Sequence, residues 1–205
     1  ARRNGNSGKT MLSLSRSLSS VRNALSSVGI RGRCKLVATQ ERLTFPQAVA
    51  MALRPIAPED QSLLREIYAD AIESQAPLLY SEEQVRAWAA LAWLPGVLDA
   101  TFRDGSGWLT TDGSAFAIRH PEDRLSLLYC RGRASRRGHG SALLNQIEAD
   151  AWASGVLQLR TEASQLSRSL LQRRGWVVES PETILIGGVP FERYRMVKLL
   201  RQAHS

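Results

Sequence analysis

The chain has 205 residues, of which 43% are hydrophobic and 22% charged, with two cysteines and a formal net charge of +8. This composition excludes an intrinsically disordered protein, and the length suits one ordinary domain with a tail. No uninterrupted apolar run of about 18 residues occurs, which predicts no transmembrane helix; Cys34 and Cys130 lack the CxxC or Cys/His spacing of a zinc site or disulfide framework.

The charge is unevenly distributed. Residues 1–50 hold nine Lys or Arg and a single acid, Glu41, whereas the remaining 155 residues carry eighteen charges of each sign. The basic balance therefore belongs to the N-terminal segment and argues against a folded nucleic-acid-binding face. MLSLSRSLSSVRNALSSVGIRGRCKL is rich in Ser and Arg and free of acids, as organellar presequences are. Three readings stay open for it: a targeting segment, a disordered basic tail, and translated sequence upstream of a start at Met51. Its few apolar residues cannot offset the entropy of ordering, so residues 1–50 are read as an extended or disordered tail and 51–205 as the domain. GNSGKT (residues 5–10) ends like a nucleoside-triphosphate loop. The first glycine of that motif falls on Arg3, however, and no apolar strand precedes it, so such a site is excluded.

In chain order, LRPIAPED predicts a short strand and a helix entry, with Pro58 in the first turn and Glu59 and Asp60 at the positive end of the dipole. Leu63, Leu64, Ile67, Tyr68, Ala71 and Ile72 recur at helical spacing and predict a helix over 59–74. Ser81 and Gln84 form a capping box for a second helix, with Val85, Trp88 and Ala89 as its apolar stripe. GWLTTDGSAFAIRH places Asp112-Gly113 between two β-prone runs, a two-residue hairpin signal. RLSLLYC (124–130) is apolar on both faces, as in a central strand. Leu143, Leu144, Ile147 and Ala151 define a helix ending near Gly155. VLQLRT reads as a strand, SQLSRSLLQRR as a helix stopped by Gly175, and WVVES and VPFERYRMVKLL as final strands around Gly187-Gly188. This order predicts an α/β domain with a mixed, mostly antiparallel sheet flanked by helices. Trp88, Trp93, Trp108 and Trp176 are core candidates.

RASRRGHGSALL (133–144) carries the chemistry. A strand entering a Gly-rich turn and then a helix leaves unpaired N–H groups at the positive end of the helix dipole, an anion site. Gly138 and Gly140 clear the approach to the backbone, Arg136 and Arg137 add charged donors, and Arg131 and Arg133 are candidates for a more distant phosphate. On composition alone, a pyrophosphate cradle and a basic surface turn are equally supported.

R-R-G-H-G-S-A-L-L after LSLLYC resembles the acyl-CoA loop of the GNAT superfamily of N-acetyltransferases, whose pattern is Q/R-x-x-G-x-G/A. The resemblance covers most of 53–200: LRPIAPED is similar to that family's opening strand and helix, LLQRRGW to its helix ending in glycine and an aromatic, and GVPFERYRMVKLL to its closing strand. It implies acetyl-CoA as co-substrate, with no metal, lying in a V-shaped gap between the strand at 125–130 and that at 156–161. The backbone around Leu128, Tyr129 and Cys130 would hold the pantetheine arm and polarise the thioester carbonyl. Arg136, Arg137, Gly138, His139, Gly140 and Ser141 would hold the pyrophosphate, and Ser164 and Ser167 would contact the cofactor arm. The implied reaction is direct attack by a primary amine of a small-molecule or peptidic acceptor in a ternary complex.

The sequence departs from the pattern at three points. Ser135 stands where the motif has Gln or Arg, Ser164 where many members have asparagine, and Leu171 where many carry the tyrosine that protonates the thiolate. Glu162 is the candidate base or amine anchor, with a solvated loop carboxylate as its bland reading; Tyr194 is the candidate acid, with packing or substrate contact as its competing role. Ser126 stands where relatives often place an acid. His139 is read as a solvent-side residue, Cys130 as lending its backbone rather than its thiol, and Tyr80 and Trp88 as lining the acceptor pocket. The rivals are a degenerate acetyl-CoA-binding sensor and a nucleic-acid-associated protein acting through the tail. The expected setting is cytoplasmic, or an organellar matrix if 1–50 is a targeting segment. The expected partners are the amine acceptor alone, without nucleic acid or membrane, in a monomer or homodimer.

Overall fold

The computed structural model describes residues 51–200; the tail, Cys34 and the GNSGKT stretch lie outside the described residues. In chain order the elements are β1 (Leu53–Pro55), α1 (Gln61–Gln75), α2 (Glu82–Ala90), α3 (Asp99–Asp104), β2 (Ser106–Thr110), β3 (Ala115–Arg119) and β4 (Leu125–Cys130). Then follow α4 (His139–Ala153), β5 (Gln158–Ala163), α5 (Gln165–Arg173), β6 (Val177–Ile186) and β7 (Val189–Leu199). The mixed α/β class and the predicted order are observed, with the short α3 as an addition. β1, β2, β3 and β4 form one antiparallel sheet in that order, and β5, β7 and β6 a second.

Local chemistry accounts for most boundaries. The Ser81 hydroxyl accepts from the Gln84 N–H at 3.2 Å and the Gln84 amide accepts from the Ser81 N–H at 3.0 Å, the reciprocal box that starts α2. Ile186 pairs with Val189 across Gly187 and Gly188, both left-handed, so a two-residue turn joins β6 to β7. The β2–β3 turn differs from the two-residue form predicted. The Gly113 N–H donates to the Thr110 carbonyl, the Thr110 hydroxyl accepts from the N–H groups of Ser114 and Ala115, and only Gly113 is left-handed. The threonine side chain thus takes two donors that a tighter hairpin would have paired across the ladder.

Arg54 grips the carboxylate of Asp60 through both terminal nitrogens, at 2.7 and 2.6 Å, and that carboxylate also accepts from the Ala57 N–H at 2.8 Å. The Arg54 hydrogen bonds hold the buried Asp60 carboxyl below its ordinary range. A depressed folded value stabilises the protein above the unfolded pKa of about 3.9, and the stabilisation is lost as pH falls through the folded value. Asp60→Asn is therefore expected to cost about 1–3 kcal/mol at neutral pH. Chemical denaturation at pH 7 and at pH 3 should show that difference shrinking in acid.

β3 is buried along its whole length because both faces are covered. Phe116 and Ile118 join Leu64, Ile67, Tyr68 and Ile72 of α1 in one cluster. Ala115 and Ala117 face the other way, with Leu143, Leu144 and Ile147 of α4 in a second cluster that also holds Leu159, Leu171, Trp176 and Met196. Trp176 is thus a core residue as expected, whereas Trp93 is 58% exposed in the turn after α2. β4 is not a central strand. It ends its sheet and meets β5 in a single parallel bridge, Arg124 opposite Arg160.

Candidate active site

Next to the β4–β5 bridge, the Thr161 hydroxyl donates to the Leu125 carbonyl at 2.7 Å. Ile118 pairs with Leu127 but Arg119 with Leu125, so Ser126 is the extra residue of a β-bulge in β4. Its hydroxyl donates to the His120 carbonyl. Past the bridge, β4, β5, the loop before α4 and the inner faces of α1, α2 and α5 line one cleft of about 800 Å³.

The free backbone of β4 follows from its pairing with β3. The Arg131 N–H donates to Ser114, and in an antiparallel ladder alternate residues bond to the same neighbour. Tyr129, opposite Phe116, therefore spends its backbone on β3, and the groups of Leu128 and Cys130 point away from β3. The backbone of Tyr129 is thus spent on β3 rather than free for the expected contact, and what Tyr129 brings to the cleft is its ring. Gln75 takes the Cys130 carbonyl through Nε2 at 2.7 Å. The Leu128 N–H and carbonyl and the Cys130 N–H remain for a ligand. Burial pushes the Cys130 thiol up to about 11, so at neutral pH it is protonated.

The loop is tied to α1 by contacts that no sequence pattern announces. The Asp70 carboxylate accepts from the Gly132 N–H at 2.8 Å, and the Ser135 hydroxyl donates to Oε1 of Gln75 at 3.0 Å. Gln75 thus braces both the end of β4 and the position where the family motif has Gln or Arg. Arg131 is not available for a distant phosphate: it donates to the Gly113 carbonyl and faces Glu66 and Asp70 at 3.3 and 3.7 Å. Arg133, Arg136 and Arg137 are exposed and have no ion-pair partner among the described residues.

Two left-handed residues shape the loop, Arg136 (φ 61°) and Gly138 (φ 91°), the latter capping α4 without a side-chain bond. Such turns converge successive N–H groups into an anion-binding concavity. The first intrahelical bond runs from Ala142 to the Gly138 carbonyl, which leaves the N–H groups of His139, Gly140 and Ser141 for a ligand. A Cβ on Gly138 would meet nothing within 4 Å, so the cradle is open at its mouth. Gly140 has a different cause: a Cβ there would press on Leu170 of α5 at 2.8 Å. His139 is not solvent-side. It is 8% exposed, lines the cleft, and its buried Nδ1 has no partner.

The remaining predicted residues fall into two groups. Ser164 and Ser167 line the cleft, where Ser164 caps α5 by accepting from the Ser167 N–H at 3.3 Å. Glu162 also lines it, on strand β5 rather than in a loop, and accepts from Arg124 Nε at 2.8 Å with Arg160 3.8 Å away. Trp88 lines the cleft; Tyr80 does not. Tyr80 is buried, packs against Trp88 and Phe191, and its hydroxyl accepts from the Gln165 N–H at 3.0 Å. Tyr194 lies outside the cleft lining, with its hydroxyl on Glu192 at 2.8 Å and Arg168 stacked over its ring. The hydrogen bond to Glu192 pushes its phenol up. Leu171 is buried in the second core cluster and offers no proton.

Three cleft contributors were not foreseen. The Tyr129 ring lies 4.3 Å from Tyr68 and 5.9 Å from Phe116, and burial pushes both phenols up, that of Tyr68 to about 12. Gln75 enters through α1, and Arg173, like Arg136, brings an exposed guanidinium to the lining, on the α5 side. Among the described residues, no three His, Cys, Asp or Glu side chains group as a metal site, and no helix is long and apolar enough to cross a membrane.

No family model matches the chain, and no curated protein matches it. Solved structures do. A GCN5-related N-acetyltransferase from Rhodopseudomonas palustris is 31% identical, over 73% of this chain and 95% of that one, with a TM-score of 0.69. An N-acetyltransferase from Thermoplasma acidophilum, in complex with coenzyme A, is 18% identical over 73% and 99%, with a TM-score of 0.56. A Salmonella typhimurium protein with its cofactor acetyl-CoA is 12% identical over 76% and 96%, with a TM-score of 0.50. The last two share the fold alone.

Proposed function

The chain belongs to the GNAT family of N-acetyltransferases, and on that premise we propose that it transfers an acetyl group from acetyl-CoA to a primary amine in a ternary complex. One observation carries this reading: the left-handed cradle at Arg136 and Gly138 opens into the same cleft as the unpaired backbone groups of Leu128 and Cys130. A pyrophosphate and a pantetheine amide need those two features in that order. The structures of the Thermoplasma and Salmonella proteins hold CoA and acetyl-CoA on the same fold.

In this reading the N–H groups of His139, Gly140 and Ser141 hold the pyrophosphate, with Arg136, Arg137 and Arg173 as outer charges. Leu128 and Cys130 hold the arm, and their N–H groups face the region where negative charge develops on the thioester oxygen. Bound acetyl-CoA supplies an activated carbonyl carbon and a thiol leaving group. The acceptor nitrogen bonds to that carbon as the carbon–sulfur bond breaks, and Glu162, the cleft's carboxylate, anchors the amine or takes its proton. With leucine at 171, the thiolate departs without a tyrosine acid at that position.

Calorimetric titration with CoA, followed by thiol release from acetyl-CoA across an amine panel, tests the proposal. Binding with amine-dependent thiol release is the expected result. Binding with no transfer to any amine would favour the sensor, the second reading that buried Leu171 keeps in play.

A further inference from the structure

We infer that the acceptor is a singly charged primary amine on an apolar or aromatic body, not a polyamine or another polycation; this rests on the transferase reading above. Negative charge is scarce along the cleft. Among the described residues that line it, Glu162 is the only carboxylate, and Arg124 already holds it. The lining guanidiniums, Arg136 and Arg173, belong to the cradle loop and to the end of α5. The lining contributed by α1, the following turn and α2 is Ala71, Ile72, Gln75, Leu78 and Trp88, with Gln75 already bonded to Cys130 and Ser135, and the Tyr129 ring joins it. One ammonium can meet Glu162. A second, further out, has no carboxylate among the described lining residues to meet it, and its hydration shell would keep Leu78 wet where an alkyl or aryl body would cover it.

The rim supports the same conclusion. Leu78 is 78% exposed and neighbouring Leu79 51%, at the turn that borders the cleft mouth. Adjacent leucines left open beside a binding cleft favour a ligand that carries apolar surface to cover them. Acidic side chains in that turn would suit a polycation, and residues 76–80 contain none.

A matched pair of amines isolates the second charge: n-hexylamine against 1,6-diaminohexane, equal in length. With acetyl-CoA saturating, kcat/KM for hexylamine should exceed that for the diamine at least tenfold, and hexylamine should bind the CoA-loaded protein more tightly by a similar factor. Leu78→Asp, an exposed substitution, should narrow or reverse the ratio while leaving the melting temperature and CoA affinity unchanged. A diamine equal to or better than hexylamine in either assay overturns the inference and leaves the transferase reading intact. If CoA binds and no amine of the wider panel is acetylated, the transferase reading fails and the inference about its acceptor falls with it. Absence of hexylamine binding overturns the inference.

Discussion

Aspartate in place of Gly138 is expected to lower CoA affinity at least about a hundredfold, the equivalent of about 3 kcal/mol. Two effects add. Gly138 sits at φ 91°, where an L side chain costs about 1–2 kcal/mol, so the loop trades its shape against that strain. The new carboxylate then stands at the mouth of a cradle shaped for phosphate, opposing the charge that the N–H groups of α4 attract. Nothing lies within 4 Å of the added Cβ, so the fold should survive. Gly138→Ala separates the two effects, because it keeps the strain and omits the charge; its loss should be about tenfold or less. Calorimetry checks both variants, and a folded Gly138→Asp protein that binds CoA at full affinity would rule the cradle out.

Legibility followed the range of the interactions. The capping box at Ser81 and Gln84 and the helix carrying Leu143, Leu144 and Ile147 were readable because each depends on residues within a few positions of one another. The cradle was readable for the same reason: a strand, a glycine turn and a helix start are contiguous. What the sequence hid depends on partners far along the chain. Gln75 and Ser135 are sixty positions apart, and only the docking of α1 on β4 brings them together. His139 occupies the variable position of a surface loop in the motif, yet the first turn of α4 rotates its ring inward and buries it. Trp93 and Tyr80 erred in opposite directions. The turn after α2 carries Trp93 outward, whereas Tyr80 is drawn in by the N–H at the start of α5.

Gly140 shows how one motif serves two constraints. Its position in the loop suggests close phosphate approach, but the atom a side chain would strike is Leu170 Cδ2 on α5. The glycine spacing therefore fixes how closely α4 and α5 pack as well as what the helix start can bind. Since α5 also presents Ser164, Ser167 and Arg173 to the cleft, that packing sets the width of the cleft on this side. Leu171 belongs to the same arrangement. Its side chain is buried in the second core cluster and also lines the inner wall of the cleft, so a tyrosine there would either project into the cleft or, kept in the core, overpack it at a cost of about 1–3 kcal/mol.

Glu162→Gln is expected to reduce kcat/KM for the amine about a hundredfold or more, the range in which loss of a positioned acid–base group falls. CoA affinity should stay within about twofold, since Glu162 lies at the bridged end of β4 and β5, away from the cradle loop. Glutamine preserves the shape and can still accept from Arg124, so the fold is not at risk. The division of the loss identifies the role. A proton acceptor acts only once the amine is in place, so its removal lowers kcat with little change in the KM for amine. An anchor binds ground state and transition state alike, so its removal raises that KM and spares kcat. Added formate gives a second readout: it should restore part of kcat to Glu162→Ala if the carboxylate carries a proton, and restore nothing if it only anchors. Unchanged kcat and KM in Glu162→Gln would remove Glu162 from the reaction. The cleft would then offer no carboxylate to the acceptor among its described residues, and the backbone of β4 and the Tyr68–Tyr129 pair would be the next groups to test.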